Sequence, residues 1–255
     1  MASPSIGRRA AAFAILFLLY QSAEGVGARL LHSFAVQAAL MTLALAAAWP
    51  VGRWLLASGG YRAYALERRA DLPFLLAGAM LLAFAAKAAA LLLGIALGAY
   101  RIAPAEAAPG AAAAAGTALL LMVSTFIPSL AEDILTRGFW YRFGPWRSGA
   151  RFLILSSAVY VLNHIFRLDR GPVEWLTLFA FGLAYAAALL RTGSLWAALG
   201  LHWGWNLANG LLDAFASLDA ADPRLAPFLS AGAHLVLAAA ILAWPYGVRR
   251  TEINR

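Results

Sequence analysis

The chain has 255 residues, 63% of them hydrophobic and only 13% charged, with a mean hydropathy of +0.73, which is far outside soluble globular usage. It has no cysteine, which excludes a disulfide framework, a thiolate nucleophile and a thiolate zinc site. The formal net charge of +8 is spread without a basic run, so it reads as a membrane-topology signal and no nucleic-acid partner is expected.

Runs of about 20 apolar residues match the hydrocarbon thickness of a bilayer. They place helices at 10–24, 30–57, 72–99, 112–142, 149–166, 173–191, 195–216 and 228–247. This predicts one integral-membrane domain over 1–255, an all-α polytopic membrane bundle of about eight transmembrane helices around a polar cavity. The first helix follows Arg8-Arg9, and Ser22-Ala23 near its end also permits a signal-peptide reading. The second is longer than a bilayer needs, and Pro50 should kink it. Lys87 falls near the middle of the third, where an ammonium needs a partner, and Asp213 is the candidate.

Arginines orient the bundle. With the amino terminus inside, fourteen of them (Arg8, Arg9, Arg53, Arg62, Arg68, Arg69, Arg137, Arg142, Arg147, Arg151, Arg191, Arg249, Arg250 and Arg255) lie on inner segments. Only five, Arg29, Arg101, Arg167, Arg170 and Arg224, lie on outer ones. The positive-inside rule therefore places both termini in the cytoplasm. The Ala- and Arg-rich, Lys-poor composition suggests a bacterial cytoplasmic membrane.

Ionisable groups at membrane depth are functional candidates. The fourth helix carries Glu132-Asp133-x-x-x-Arg137, the fifth Tyr160-x-x-x-His164, and the seventh His202-x-x-x-Asn206. The fourth and fifth helices turn around Gly144 to Gly149, midway between Glu132 and His164, so those two residues face each other. Glu132 lies roughly 16 Å from its helix end at 1.5 Å per residue, and His202 and Asn206 lie roughly 10 and 16 Å along theirs. All four reach one layer. Asp133 and Arg137, four apart, can pair and neutralise each other, with Glu132 turned about 100° away. His202 and Asn206 share a helical face, presenting two donors toward one point.

Singly, each residue has a structural use. Glu132 and Asp133 can end a helix at the interface, His164 can sit at the boundary near Arg167, and His202 and Asn206 can act as interhelical glue. Their joint occurrence at one depth favours a site. His32 and His234 lack such partners and read as structural. Tyr160, Trp203 and Trp205 read as cavity wall or lipid-facing packing.

With these motifs in order, the chain resembles the CPBP family of intramembrane endopeptidases, also called the Abi or type II CAAX prenyl endopeptidase family, whose pattern is EExxxR, FxxxH and HxxxN/D. Here Asp133 replaces the second Glu and Tyr160 replaces Phe. The run Arg191-Thr192-Gly193-Ser194-Leu195-Trp196 before the third motif is also similar. The resemblance covers a protease-type core at 112–209.

The resemblance implies hydrolysis of a peptide bond in a membrane-anchored protein or peptide lying in the lipid bilayer, from a cavity opening toward the cytoplasmic side. Glu132 would be the general base and His164 would hold the water. His202 and Asn206 would donate to the oxyanion, with Asp133 and Arg137 in support. No cofactor is favoured. The alternative is a metalloprotease in which Glu132, His164 and His202 ligate a divalent metal such as zinc. A catalytically silent scaffold or bacteriocin-immunity protein is the main rival, and a transporter the weaker one. Substrate, cleavage position and oligomeric state do not follow from the sequence.

Overall fold

The computed structural model describes residues 4–103, 109–145, 148–216 and 218–245. Arg147, Arg249, Arg250 and Arg255 of the inner arginine set, and residues 246 and 247 of the last predicted helix, lie outside the described residues. The chain is an all-α bundle of α1 (Ile6–Ser22), α2 (Phe34–Pro50), α3 (Leu72–Ala96), α4 (Ala111–Asp133), α5 (Phe139–Phe143), α6 (Gly149–Asn163), α7 (Pro172–Thr192), α8 (Leu195–Phe215) and α9 (Leu225–Ala243). Two three-residue strands, β1 (Tyr100–Ile102) and β2 (Leu218–Ala220), pair antiparallel and tie the α3–α4 connection to the α8–α9 connection.

Three rods continue as π-helix: α1 over Ala23–Leu30, α2 over Val51–Leu55, and α4 over Ile134–Gly138 into α5. Pro50 stands where α2 changes to π-helix, so the expected disturbance takes the form of a widened last turn. Joined across these segments, six rods among the described residues are long and apolar enough to cross a membrane. Two of the eight expected spans are not in that set. At 15 residues α6 is roughly 22 Å long, short of the ~30 Å hydrocarbon core. The 21-residue α8 carries His202, Asn206, Asn209 and Asp213 and is buried inside the bundle.

Close helix approach explains the small residues. On α8, Gly200 and Gly204 form a small-xxx-small face against α3. A Cβ at Gly200 would sit 2.5 Å from the Leu76 carbonyl oxygen, and one at Gly204 would lie 3.0 Å from the Ala83 Cβ. Gly182 of α7 meets the Ser157 Cα of α6 in the same way, at 2.8 Å. Gly193 adopts φ 65° and ends α7, which lets the chain reverse into α8.

The side of the bundle carrying the arginine-rich turns is sealed. Gly60–Tyr64 forms a 3-10 turn that enters the bundle end, and Ala63, Tyr64 and Ala65 are almost fully buried. Tyr64 donates to the Ala48 carbonyl at 3.0 Å, and burial pushes its phenol above the ordinary range, so it remains a donor. The Leu195 amide donates to the Ala65 carbonyl at 2.9 Å, and Arg142 pairs with Glu67. The first helix is an integral part of this packing, with Ala12 and Leu16 in the core.

Gly200→Ala should force α3 and α8 apart and cost about 1–3 kcal/mol, as overpacking of a filled core does. A lowered midpoint of thermal aggregation in detergent, relative to Gly232→Ala, whose Cβ would meet nothing within 4 Å, checks this.

Candidate active site

The four candidate residues line one cavity of about 500 Å³. Glu132 comes from the last turn of α4, immediately before the π-helical segment, and is buried. His164 follows the last residue of α6, where the backbone has left the helix (φ −87°, ψ 47°). His202 and Asn206 lie one turn apart on α8.

The carboxylate is the hub. His164 Nε2 lies 3.5 Å from Glu132 Oε1, and His202 Nε2 lies 3.5 Å from Oε2. The other nitrogen of each ring is committed: His164 Nδ1 donates to the Tyr160 carbonyl at 2.8 Å, and His202 Nδ1 donates to Asp133 Oδ1 at 2.9 Å. Carbonyl and carboxylate oxygens only accept, so both Nδ1 atoms carry protons, and both Nε2 atoms face Glu132.

Asp133 and Arg137 support this arrangement from below. Arg137 pairs with Asp133 four residues before it, and neither side chain is exposed to solvent. The guanidinium lies over the Tyr160 ring at 4.4 Å and the Tyr185 ring at 4.9 Å. Tyr185 stacks on His202, with centroids 4.9 Å apart at 22°. One Asp133 oxygen thus accepts from Arg137 and from His202, which gives the shorter acid of this motif a positional role. Arg137 is therefore a core residue, not an interfacial arginine, and drops out of the topology count.

Asn206 is placed less simply than its spacing suggests. Its amide donates to Ser129 Oγ at 3.1 Å, so it shares the cavity with His202 without converging on the same acceptor. The sequence reading missed Ser129, Tyr185, Gln21 and Asn163. Gln21 Nε2 donates to the Asn163 backbone carbonyl at 2.7 Å and to Asn163 Oδ1 at 2.9 Å, and Asn163 Nδ2 donates to Glu132 Oε1 at 3.0 Å. The available signal was polarity: both are amides inside apolar helices, and Asn163 adjoins His164.

Other expectations need correction. The cavity mouth is framed by Glu24, Phe34, Phe166 and Arg167, from the α1–α2 and α6–α7 connections. It lies on the side opposite the arginine-rich turns, because Tyr64 and its neighbours close the latter, so the expected opening toward the arginine-rich side is reversed. Trp205 faces the bundle interior and not lipid, with its ring beside His234 at 4.3 Å. Trp203 donates to the Met122 carbonyl. The Lys87 ammonium lies over the Trp205 ring at 4.9 Å, and Lys87 and Asp213 line a shared pocket of about 230 Å³. His234 is buried between the Tyr185 hydroxyl and the Ser230 carbonyl, and His32 is exposed at the α1–α2 turn.

Residues 114–208 match the family model described as "Type II CAAX prenyl endopeptidase Rce1-like". Over these residues the chain is similar to that family. The match contains Glu132, Asp133, Arg137, His164, His202 and Asn206, whereas Gln21 on α1 lies outside it. No curated protein and no solved structure matches the chain. The Rce1-like core supports a CAAX-type intramembrane protease at the level of family, set in an integral membrane protein. Among the described residues, no three His, Asp or Glu side chains are grouped so as to hold a metal ion. The two imidazoles of the Rce1-like core approach different oxygens of Glu132 and do not converge with one oxygen on a common point.

Arg137→Met should destabilise the protein by about 3–5 kcal/mol, because it leaves the buried Asp133 carboxylate without its cation. Thermal unfolding in detergent checks this, and a loss no larger than that of Arg53→Met, an exposed arginine, would refute it.

Proposed function

We propose that the chain is an intramembrane endopeptidase that hydrolyses a peptide bond of a membrane-associated protein or peptide with water activated by Glu132, residues 1–255 acting as one domain around the core at 112–209. The observation that carries this reading is the pair of imidazole Nε2 atoms, each 3.5 Å from one oxygen of a single buried carboxylate that faces a cavity. Glu132 takes a proton from water while His164 holds that water. The water oxygen attacks the scissile carbonyl carbon, and the carbonyl electron pair moves onto oxygen. The second N–H of Asn206 donates to that oxyanion, and His202 joins it through Nε2–H when that nitrogen, as well as Nδ1, carries a proton. Collapse breaks the C–N bond, and Glu132 passes its proton to the leaving amine.

The cavity walls favour a substrate that arrives from the bilayer. Phe34, Ala38 and Met41 of α2 and Leu120, Val123 and Ile127 of α4 form one apolar side, and Phe34, Leu120 and Val123 are exposed at its edge. A lipid-modified peptide fits the family description, and a membrane-anchored segment fits the same chemistry. With both termini in the cytoplasm of a bacterial cell, the mouth faces the outer leaflet.

One observation favours a second reading. Each histidine turns Nε2 inward and ties Nδ1 to an oxygen, the habit of metal-bound histidines. Glu132, His164 and His202 would then shift to ligate a divalent metal such as zinc.

The test is cleavage of an internally quenched peptide bearing a prenylated cysteine, and of an acyl-anchored peptide, by purified protein in liposomes with and without chelator. Glu132→Gln should lower the rate by about 10²–10⁴-fold and His202→Ala by about 10²–10³-fold. Activity indifferent to chelator supports the glutamate reading, and activity lost to chelator and restored by zinc replaces it with the metal reading. Activity surviving Glu132→Gln overturns the site, and cleavage of neither peptide by wild type, across both cysteine-lipid and acyl anchors, favours a silent scaffold.

A further inference from the structure

The matched core ends well short of α1, yet α1 places one polar side chain against the candidate base. We infer that Gln21 and Asn163 form a carboxamide clamp that positions Glu132 and His164, making α1 part of the catalytic apparatus. This inference rests on the reading of Glu132 as the base.

Hydrogen-bond direction carries the case. Asn163 ends α6, so its backbone carbonyl is one of those a helix leaves without an internal partner. Gln21 Nε2 supplies that partner at 2.7 Å and also donates to Asn163 Oδ1 at 2.9 Å. The second contact fixes which way the Asn163 carboxamide points: its oxygen faces Gln21, so its nitrogen faces Glu132 and donates to Oε1 at 3.0 Å. Gln21 and Asn163 are both buried, so bulk water is a poor substitute for either amide.

Two consequences follow from one contact set. Glu132 is held from the Oε1 side, which sets its carboxylate plane and leaves Oε2 toward His202. His164 is held because Gln21 pins the end of α6, and His164 is the next residue, off the helix. A helix whose apolar length suits it only for anchoring has no need of a buried amide at this depth. The side chain one residue before Gln21, Tyr20, lines the same cavity, as does Glu24.

The test combines kinetics with a substrate-independent readout. Gln21→Met and Asn163→Leu should each lower kcat by about tenfold with KM within about twofold, because a misplaced base slows chemistry without weakening binding. The double variant should lose less than the product of the two single losses, since Gln21 reaches Glu132 through the Asn163 side chain and holds the end of α6 through its backbone carbonyl. In isotope-labelled glutamate protein, the Glu132 carboxyl infrared band, isolated as wild type minus Glu132→Gln, should move in both single variants. An unmoved band with unchanged kcat overturns the clamp. Additive kinetic losses with an unmoved band also overturn it, since they mark two separate structural defects. Survival of activity in Glu132→Gln overturns the proposed function instead, and the infrared band then decides the clamp by itself.

Discussion

The buried ion pair of Asp133 and Arg137 is the constraint on which the polar interior depends. Two charges removed from water are tolerable only when each is closely compensated. Arg137 reaches Asp133 along one helix, and its guanidinium lies against two tyrosine rings. Asp133 in turn receives the His202 Nδ1–H from another helix. A neutral substitute at either position would leave a charge stranded in a medium that cannot solvate it. The ion pair thus joins α4 to α8 and fixes the imidazole face that looks into the cavity.

Above this pair the interior changes character. Below Glu132 the side chains are close-packed and the bundle end is sealed by the turn around Tyr64, whereas above it lies a cavity of about 500 Å³. The π-helical segment Ile134–Gly138 falls at this change and carries Arg137 inward. Glu132 stands at the boundary, bounded by amide and imidazole groups on several sides and by open volume on another. A carboxylate so compensated, beside open volume, meets the demands that the proposed hydrolysis makes on it.

Much of this was legible in the sequence, and the reasons are local. Apolar runs of bilayer length announced the helices, and the i, i+4 spacing of Asp133 and Arg137 announced their ion pair. Depth arithmetic brought Glu132, His164 and His202 to one level because helices rise regularly along their axes. What escaped depended on which way groups point. Spacing could not tell that Asn206 turns to Ser129, or that His202 addresses two carboxylates at once. The mouth was misplaced because the expected opening came from the resemblance, while the turn at 60–66 folds inward and closes that end. Gln21 and Asn163 escaped because a lone amide carries no periodicity, and its partner is 142 positions away.

The glycines of α8 bear on more than closeness. Gly200 and Gly204 bracket His202 in sequence and are pressed against the α3 backbone, while His202 points elsewhere, toward Glu132. The helix is therefore keyed, like a shaft with a flat milled on one side. Turning it by one residue, about 100°, would drive a side chain into the Leu76 carbonyl and withdraw the imidazole from the carboxylate together. Axial rotation of α8, a motion open to many membrane helices, is barred here, so any opening that admits a substrate must come from the rods facing the cavity from the other side.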